Sequence, residues 1–263
     1  MKHVVSYSGG AGSWCAAKRV ADQYGTDNLV LLFADTLIED ADLYRFLHES
    51  AANIGVPITR IADGRSVWQV FRDVRYLGNS RVDPCSAILK RDLIRKWLAD
   101  NCDPDNTTVY VGIDWTEEHR IQRIQERNDV WRYEAPMCAE PLMNKPDMMA
   151  WMVSEGITPP RLYDMGFPHN NCGGFCVKAG QAQFAKLLRE MPERYAEHEA
   201  EEEALRQHLG KDVSVMRDRR GGTVKPLTMA AFRLRVQQDN YDKHEWGGCG
   251  CALDDTGAPE AMG

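Results

Sequence analysis

Short apolar runs alternate with helix-like segments along the first half of the chain, and this alternation constrains the fold more than any other feature. The run at residues 29–34 (LVLLFA) is continuously apolar, as expected for a strand that is buried on both faces. Shorter strand-like runs occupy residues 2–7, 57–61 and 107–113, and helix-like segments follow each of them. We predict an α/β fold in which helices cover both faces of a parallel sheet.

The texture of the sequence changes after residue 130, where prolines and loop-like segments become frequent. Residues 181–209 are strongly helical apart from a break at Pro192, and the tail from Gly247 is rich in glycine. We therefore predict a domain at residues 1–190, followed by a helical and loop-rich, cysteine-bearing extension at residues 191–263. A chain of 263 residues is long enough for one large α/β domain with such an appendage.

Composition and charge exclude several classes of protein. No apolar run approaches the ~18 residues that a membrane span requires, and residues 1–3 lead into a strand without a signal peptide. We therefore expect a soluble, cytoplasmic protein with no membrane partner. The net charge of −7 argues against a wholly basic nucleic-acid binder. A basic stretch at residues 217–235 leaves two alternatives open there, a solvated surface or a contact with a polyanion.

A glycine-rich turn joins the first strand to the first helix. Glycine lets the backbone approach an anion closely, and the N–H groups at the start of a helix then point at that anion. The alternative is an ordinary strand–helix turn, but flanking serines add hydroxyl donors. The spacing matches neither G-x-x-x-x-G-K-[ST] nor G-x-G-x-x-G. We predict a phosphate-binding loop formed by Ser8, Gly9, Gly10, Gly12 and Ser13.

Two residues outside the loop are further candidates for contact with a nucleotide. Asp35 follows the buried strand, and ligands of such sheets bind at the carboxyl ends of the strands. Its carboxylate would contact the nucleotide or Mg²⁺, or would instead cap the next helix together with Thr36. Arg120 would hold a phosphate or sulfate with its planar guanidinium group, or would form a surface ion pair.

The spacing of the cysteines indicates a metal site, because thiolates bind iron–sulfur clusters and zinc. Cys172 and Cys176 form a C-x3-C pair among glycines, and Cys249 and Cys251 form a C-x-C pair. Cys85 precedes a helix, whose positive end favours a thiolate. The alternatives are a cluster on Cys85, Cys172, Cys176 and one of the C-terminal pair, a structural zinc on the two pairs, or no metal.

Five segments in a fixed order resemble motifs of the PP-loop family, the adenine nucleotide α-hydrolase-like enzymes. The turn at residues 8–13 is similar to the S-G-G-x-x-S signature of that family. The other segments look most like the phosphoadenosine phosphosulfate (PAPS) reductase branch. The segment at 33–46 contains FADT, Glu39 and YRF, and the segment at 112–120 contains GID, two glutamates and an arginine. The segment at 141–168 contains PL, a tryptophan and LYDMGFP, and the remaining motif is formed by the cysteines at 85, 172 and 176. The resemblance covers residues 1–190.

This resemblance implies a Rossmann-like PP-loop fold and an enzyme that binds ATP or PAPS. It favours a [4Fe–4S] cluster over zinc, and it implies sulfur transfer or sulfonucleotide reduction. We assign the cluster to Cys85, Cys172, Cys176 and Cys249, and the catalytic thiol to Cys251.

The partners that follow are an adenosine nucleotide and a thioredoxin-like reductant or sulfur donor. A tRNA or DNA acceptor is an alternative, because the basic stretch at 217–235 suits a phosphate backbone. A binding module without catalysis is a further alternative, because the loop has Ala11 and Gly12 where many relatives have Lys-Asp.

Overall fold

The computed structural model describes residues 1–248, and its central element is a single sheet of five strands in the order β3-β2-β1-β4-β5. All four pairings in this sheet are parallel, which confirms the predicted α/β fold. The order reverses direction between β1 and β4, and in such sheets a crevice opens there at the carboxyl ends of the strands. The strands are β1 (Lys2–Ser6), β2 (Leu29–Asp35), β3 (Ile58–Ala62), β4 (Thr107–Tyr110) and β5 (Arg132–Glu134).

Helices surround this sheet and continue beyond it. Among residues 1–248, no helix is both long and apolar enough to cross a membrane. The helices are α1 (Ala11–Tyr24), α2 (Ala41–Ile54), α3 (Val67–Asp73), α4 (Pro84–Ser86), α5 (Leu93–Asn101), α6 (Glu118–Arg127), α7 (Lys145–Ser154), α8 (Arg161–Asp164), α9 (Gln181–Glu190), α10 (Pro192–Leu209) and α11 (Met229–Gln237).

Neighbouring residues of the strands point into different cores, as the pleat of a strand requires. Val5 and Leu31 pack in the core that contains α1, α2 and α7. Val4 and Leu32 pack on the opposite side, in the core that contains α5 and α6. Both faces of the sheet are therefore covered, and this accounts for the unbroken apolar run at β2.

The chain after α9 packs in a third core. Buried side chains of α10 and α11, such as Tyr195 and Phe232, share this core with Trp68 and Phe71 of α3 and with Leu162 of α8. A two-stranded antiparallel hairpin of β6 (Met216–Asp218) and β7 (Lys225–Leu227) closes one end of it. The chain after α9 therefore packs against α3, which precedes β4, and against α8, which follows β5.

The helical segment at residues 84–101 is built from three pieces. It begins as α4, continues as a π-helix at Ala87–Asp92, and ends as α5. Single π-helical turns inside longer helices are frequent at functional sites. Lys90 and Arg91 lie in this turn, and both are buried.

Candidate functional site

A cleft of 560 Å³ opens at the carboxyl ends of β1 and β4, where the strand order reverses. The predicted phosphate loop forms one wall, and residues 111–120 after β4 form another. The start of α7 and residues 163–171 also line it, together with Lys90, Ile94 and residues at the ends of β1 and β2. Of the predicted nucleotide-binding residues, the structure brings the following to this cleft: Ser8, Gly10, Gly12, Ser13 and Arg120.

The loop has the geometry of a helix N-terminus that faces open space. Gly9 has a φ of 76°, a left-handed conformation that favours glycine. The Ser13 hydroxyl donates to the Gly10 carbonyl at 2.9 Å and accepts from the Gly10 N–H at 3.2 Å. The Ser8 hydroxyl lies 3.4 Å from that of Ser13. The two serines therefore stabilise the turn itself and line the cleft beside the first turn of α1.

Two side chains from residues 160–171 support the loop from outside. The buried Asn170 amide donates to the Gly9 carbonyl at 2.8 Å. The Tyr163 hydroxyl accepts from the N–H of Ala11, the first residue of α1, at 3.1 Å. Both Asn170 and Tyr163 line the cleft. The conformation of the loop therefore depends on a segment that lies far away in the sequence.

Arg120 lies on α6 and lines the cleft. It is buried, with a relative exposure of 9%. Its Nη1 also donates to the Glu117 carboxylate at 2.7 Å. The ion pair holds the guanidinium group at the cleft wall, where its planar face of donors suits a phosphate or sulfate.

Asp35 is placed differently from the loop residues. It ends β2, but it does not contribute to the lining of the cleft. Its carboxylate accepts from the Leu37 N–H at 2.8 Å and from the Tyr44 hydroxyl at 3.0 Å, and it pairs with Arg60 at 2.6 Å. These contacts match a structural carboxylate that orders the turn after β2.

The cysteines predicted as metal ligands converge on a second, smaller pocket next to the cleft. Cys85, Cys172 and Cys176 all line it. Within residues 1–248, however, no group of three or more His, Cys, Asp or Glu side chains is placed to hold a metal ion. Cys249 and Cys251 lie outside the described residues, so the predicted ligand set is described only in part.

Two lysines and one carboxylate, Lys90, Lys178 and Asp83, line this cysteine pocket. Lys90 lies 3.6 Å from the Glu39 carboxylate, and Lys178 lies 3.7 Å from that of the buried Asp83. Both lysines line the pocket with the cysteines, and nearby cations favour the thiolate form of a cysteine. Lys90 also lines the cleft, so the two cavities share one cationic side chain.

The backbone at Cys172 is unusual. Cys172 has a φ of 52°, and the two following glycines also have positive φ values. A left-handed conformation costs a residue other than glycine about 1–2 kcal/mol. The Cys172 N–H donates to the buried Glu39 carboxylate, which helps to hold the turn. Strain of this kind is often found where a side chain must be presented to a site.

The last described residues lie alongside the segment that follows Cys176. Gly247 forms an antiparallel bridge with Ala179, three positions after Cys176. The N–H groups of Gly180 and Ala182 donate to the Trp246 and Glu245 carbonyls, each at 2.9 Å. The chain that leads to the C-terminal cysteines is therefore fixed beside the cysteine pocket as far as Gly247.

Most arginines of the basic stretch at 217–235 pair with carboxylates of residues 199–245. Asp218 accepts from Arg220 at 3.0 Å and from Arg235 at 2.5 Å. These two arginines hold the pKa of Asp218 below its usual value, with the Arg235 hydrogen bond as the larger cause. Arg219 pairs with Glu245 at 3.0 Å, and Arg233 pairs with Glu199. The positive charge open to a polyanion is thus smaller than the sequence suggests.

Sequence patterns did not identify several residues that line the cleft. Lys90, Lys145, Tyr163 and Asn170 come from the π-helical turn, the start of α7 and the segment around α8. Tyr163 belongs to a segment that carried the family resemblance, but nothing in its spacing indicated a contact with the loop. These contacts depend on tertiary packing between distant segments.

Comparisons with known proteins give little beyond the fold. Neither a protein-family model nor a curated protein sequence matches this chain. Among solved structures, the chain is similar to the crystal structure of phosphoadenylyl-sulfate (PAPS) reductase from Candida auris, a phosphate complex. The similarity covers 64% of this chain and 79% of that chain, with 12% sequence identity and a TM-score of 0.44. The α/β fold of the present chain is established by its own sheet.

Proposed function

We propose that this protein is an enzyme that binds an adenosine nucleotide, ATP or PAPS, in the cleft and carries out sulfur chemistry with its cysteines. One observation carries the proposal: the cleft that contains the glycine loop adjoins the pocket that contains Cys85, Cys172 and Cys176, and Lys90 lines both. The glycine loop that would bind phosphate thus lies beside three thiols, an arrangement that supports sulfur transfer to or from a bound nucleotide.

The loop side of the cleft would bind the phosphates. Backbone N–H groups at the start of α1 and the helix dipole favour an anion there, and the Ser8 and Ser13 hydroxyls line the same wall. Arg120 lines the cleft from α6 and would face an anion bound there. Asp114 and Glu117 also line the cleft, and their oxygens are of the kind that Mg²⁺ prefers. Positioning and charge stabilisation would supply most of the catalysis.

The cysteine side fits a metal cluster in its chemistry. Cys85, Cys172 and Cys176 would provide three thiolates of a [4Fe–4S] cluster, and Cys249 would provide the fourth. Cys249 follows Gly247 by two residues, and Gly247 is bridged to Ala179, three positions after Cys176. A bound cluster would supply electron density and sulfide to sulfur chemistry. Zinc on the two cysteine pairs is the alternative.

Two versions of the reaction fit the arrangement. In the first, an acceptor oxygen attacks the α-phosphorus of ATP and pyrophosphate leaves. A hydrosulfide from a sulfur donor then attacks the activated atom of the acceptor, and AMP leaves with the acceptor oxygen, so that sulfur replaces that oxygen. A tRNA or DNA base is one class of acceptor. In the second, the Cys251 thiolate attacks the sulfur of PAPS, the bond between that sulfur and the phosphate oxygen breaks, and a thioredoxin-like dithiol releases sulfite. In both versions the loop holds the departing phosphate.

Binding and turnover measurements on the full chain, purified without oxygen, test the proposal. Titrations with ATP, PAPS and GTP should show binding of at least one adenosine nucleotide and little binding of GTP. Release of pyrophosphate from ATP, or of sulfite from PAPS with a dithiol, would then separate the two versions. Binding without turnover of either nucleotide would instead support the alternative of a non-catalytic binding module. Absence of binding to both ATP and PAPS would refute the proposed function.

A further inference from the structure

The phosphate loop lacks a positive charge of its own. Residues 8–13 read SGGAGS and contain no cationic side chain. The dipole of α1 offers the equivalent of only about half a charge at its N-terminus. A nucleotide polyphosphate or phosphosulfate carries several negative charges, so cationic side chains from other elements, in addition to any bound Mg²⁺, would balance them.

Among residues 1–248, the lysine and arginine side chains that line the cleft are Lys90, Arg120 and Lys145. Lys90 is paired with Glu39 at 3.6 Å, and Arg120 is paired with Glu117 at 2.7 Å. Lys145 differs, because it makes no ion pair with any carboxylate among residues 1–248. Its ammonium group contacts the Pro168 carbonyl at 3.3 Å and lies 4.9 Å from the centre of the Tyr163 ring. Among residues 1–248, no carboxylate therefore offsets the charge of the Lys145 ammonium group in the cleft.

The contacts of Tyr163 place Lys145 next to the loop. The Tyr163 hydroxyl accepts from the Ala11 N–H at 3.1 Å, so the ring that lies under the ammonium group reaches the first residue of α1. The charge of Lys145 also affects the pKa of Cys15, which lies in α1. Burial raises the pKa of the Cys15 thiol to about 12, and the charges of Arg19 and Lys145 oppose that rise. Both observations put the ammonium group near the helix N-terminus.

We propose that Lys145 supplies the positive charge for the phosphate or phosphosulfate groups bound at the N-terminus of α1, and that Tyr163 is the positioning residue that holds it there. The inference rests on the proposed function. In the structure, the Tyr163 hydroxyl accepts one hydrogen bond from the loop, and its proton has no acceptor among the described residues. A phosphate oxygen at the loop would accept from that hydroxyl and from the Lys145 ammonium group together.

The test compares ATP with adenosine, because only ATP carries the phosphates. Lys145→Met should weaken ATP binding to the full chain about tenfold to hundredfold, the range for a charge-assisted hydrogen bond. It should leave adenosine binding unchanged, which also shows that the variant is folded. Lys145→Arg should retain most of the ATP affinity. Tyr163→Phe should weaken ATP binding by a smaller factor and should also leave adenosine binding unchanged.

A matched control is available in Lys186. Its ammonium group also lies over an aromatic ring, 5.8 Å from the centre of Phe167, but it does not line the cleft. Lys186→Met should bind ATP as the unaltered chain does. If the unaltered chain binds ATP and Lys145→Met binds it equally well, the role of Lys145 is refuted while the proposed function stands. If the unaltered chain binds neither ATP nor PAPS, the proposed function fails and this inference fails with it.

Discussion

Gly12 in the first turn of α1 lies against the backbone of Gly112, the residue that follows β4 by two positions. A Cβ atom on Gly12 would be 2.6 Å from the Gly112 carbonyl oxygen, and one on Gly112 would be 2.5 Å from the Ser13 nitrogen. Real Cβ atoms do not approach so closely, so this contact requires glycine on both sides. It joins the phosphate loop to the segment that leads to Arg120.

Gly12→Ala should therefore damage both the fold and the cleft. Its methyl group meets backbone rather than a flexible side chain, and overpacking of this kind costs about 1–3 kcal/mol of unfolding free energy. Urea unfolding measures that loss, and a titration with ATP measures the effect on the loop. Gly248→Ala is the control, because a Cβ there has nothing within 4 Å. Equal stability of the two variants would show that the loop and residue 112 can move apart freely.

Substitution in the cysteine pocket should remove bound metal. We expect the chain purified without oxygen to absorb near ~400 nm and to contain about four irons and four sulfides. Cys176→Ser should lose most of both, because Cys176 lines the pocket. Cys102→Ser should keep them, since Cys102 packs against the core that contains α5 and α6 and does not line the pocket. A content of one zinc per chain without iron would refute the cluster and support the structural zinc instead.

The sheet was predictable because its strands carry strong local signals. Residues 29–34 are continuously apolar, and each strand-like run is followed by a helix-like segment. β5 was not predicted, because its three residues, Arg132, Tyr133 and Glu134, have no apolar pattern and are held by pairing with β4. The π-helical turn was not predicted either, because the sequence does not distinguish it from an α-helix.

The candidate site was predictable only in part. The loop at residues 8–13 follows from glycine and serine between a strand and a helix, which are local signals. Asp35 also follows a strand, yet its carboxylate is taken by Tyr44 and Arg60, and sequence position alone does not reveal such partners. Lys145 and Tyr163 reach the loop through packing of segments more than a hundred residues away. Contacts of that kind leave no periodic pattern in the sequence.

His198 should make the stability of the protein depend on pH. Its ring stacks on Phe175 at 3.8 Å and accepts a hydrogen bond from Trp68 at 2.9 Å. Burial, and then the charge of Arg194, lower its pKa from 6.5 to about 3. Between these two values only the unfolded chain takes up the proton, so stability falls as the pH falls below 6.5. The contribution lost by pH 5 is about 2 kcal/mol.

The measurement is urea unfolding at a series of pH values for the unaltered chain and for His198→Phe. The variant leaves the Trp68 N–H without its acceptor, so it is less stable at every pH, but its stability should fall less steeply between pH ~7 and ~5. His208→Phe is the control, because His208 is exposed on the same helix. Parallel stability curves for the unaltered chain and His198→Phe would show that His198 is protonated in the folded protein.

Glu202 should be the most sensitive carboxylate of α10. It is 1% exposed, and it accepts from the Val215 N–H at 2.8 Å and from the Met229 N–H at 2.6 Å. These bonds join α10 to the chain before β6 and to the start of α11. Glu202→Ala would leave two buried N–H groups without acceptors, at about 1–3 kcal/mol each. The neighbouring Glu203 is exposed, so Glu203→Ala should change the free energy of unfolding by less than ~0.5 kcal/mol. Thermal or urea unfolding of the two variants compares them directly, and equal losses would mean that water replaces the Glu202 carboxylate at both N–H groups.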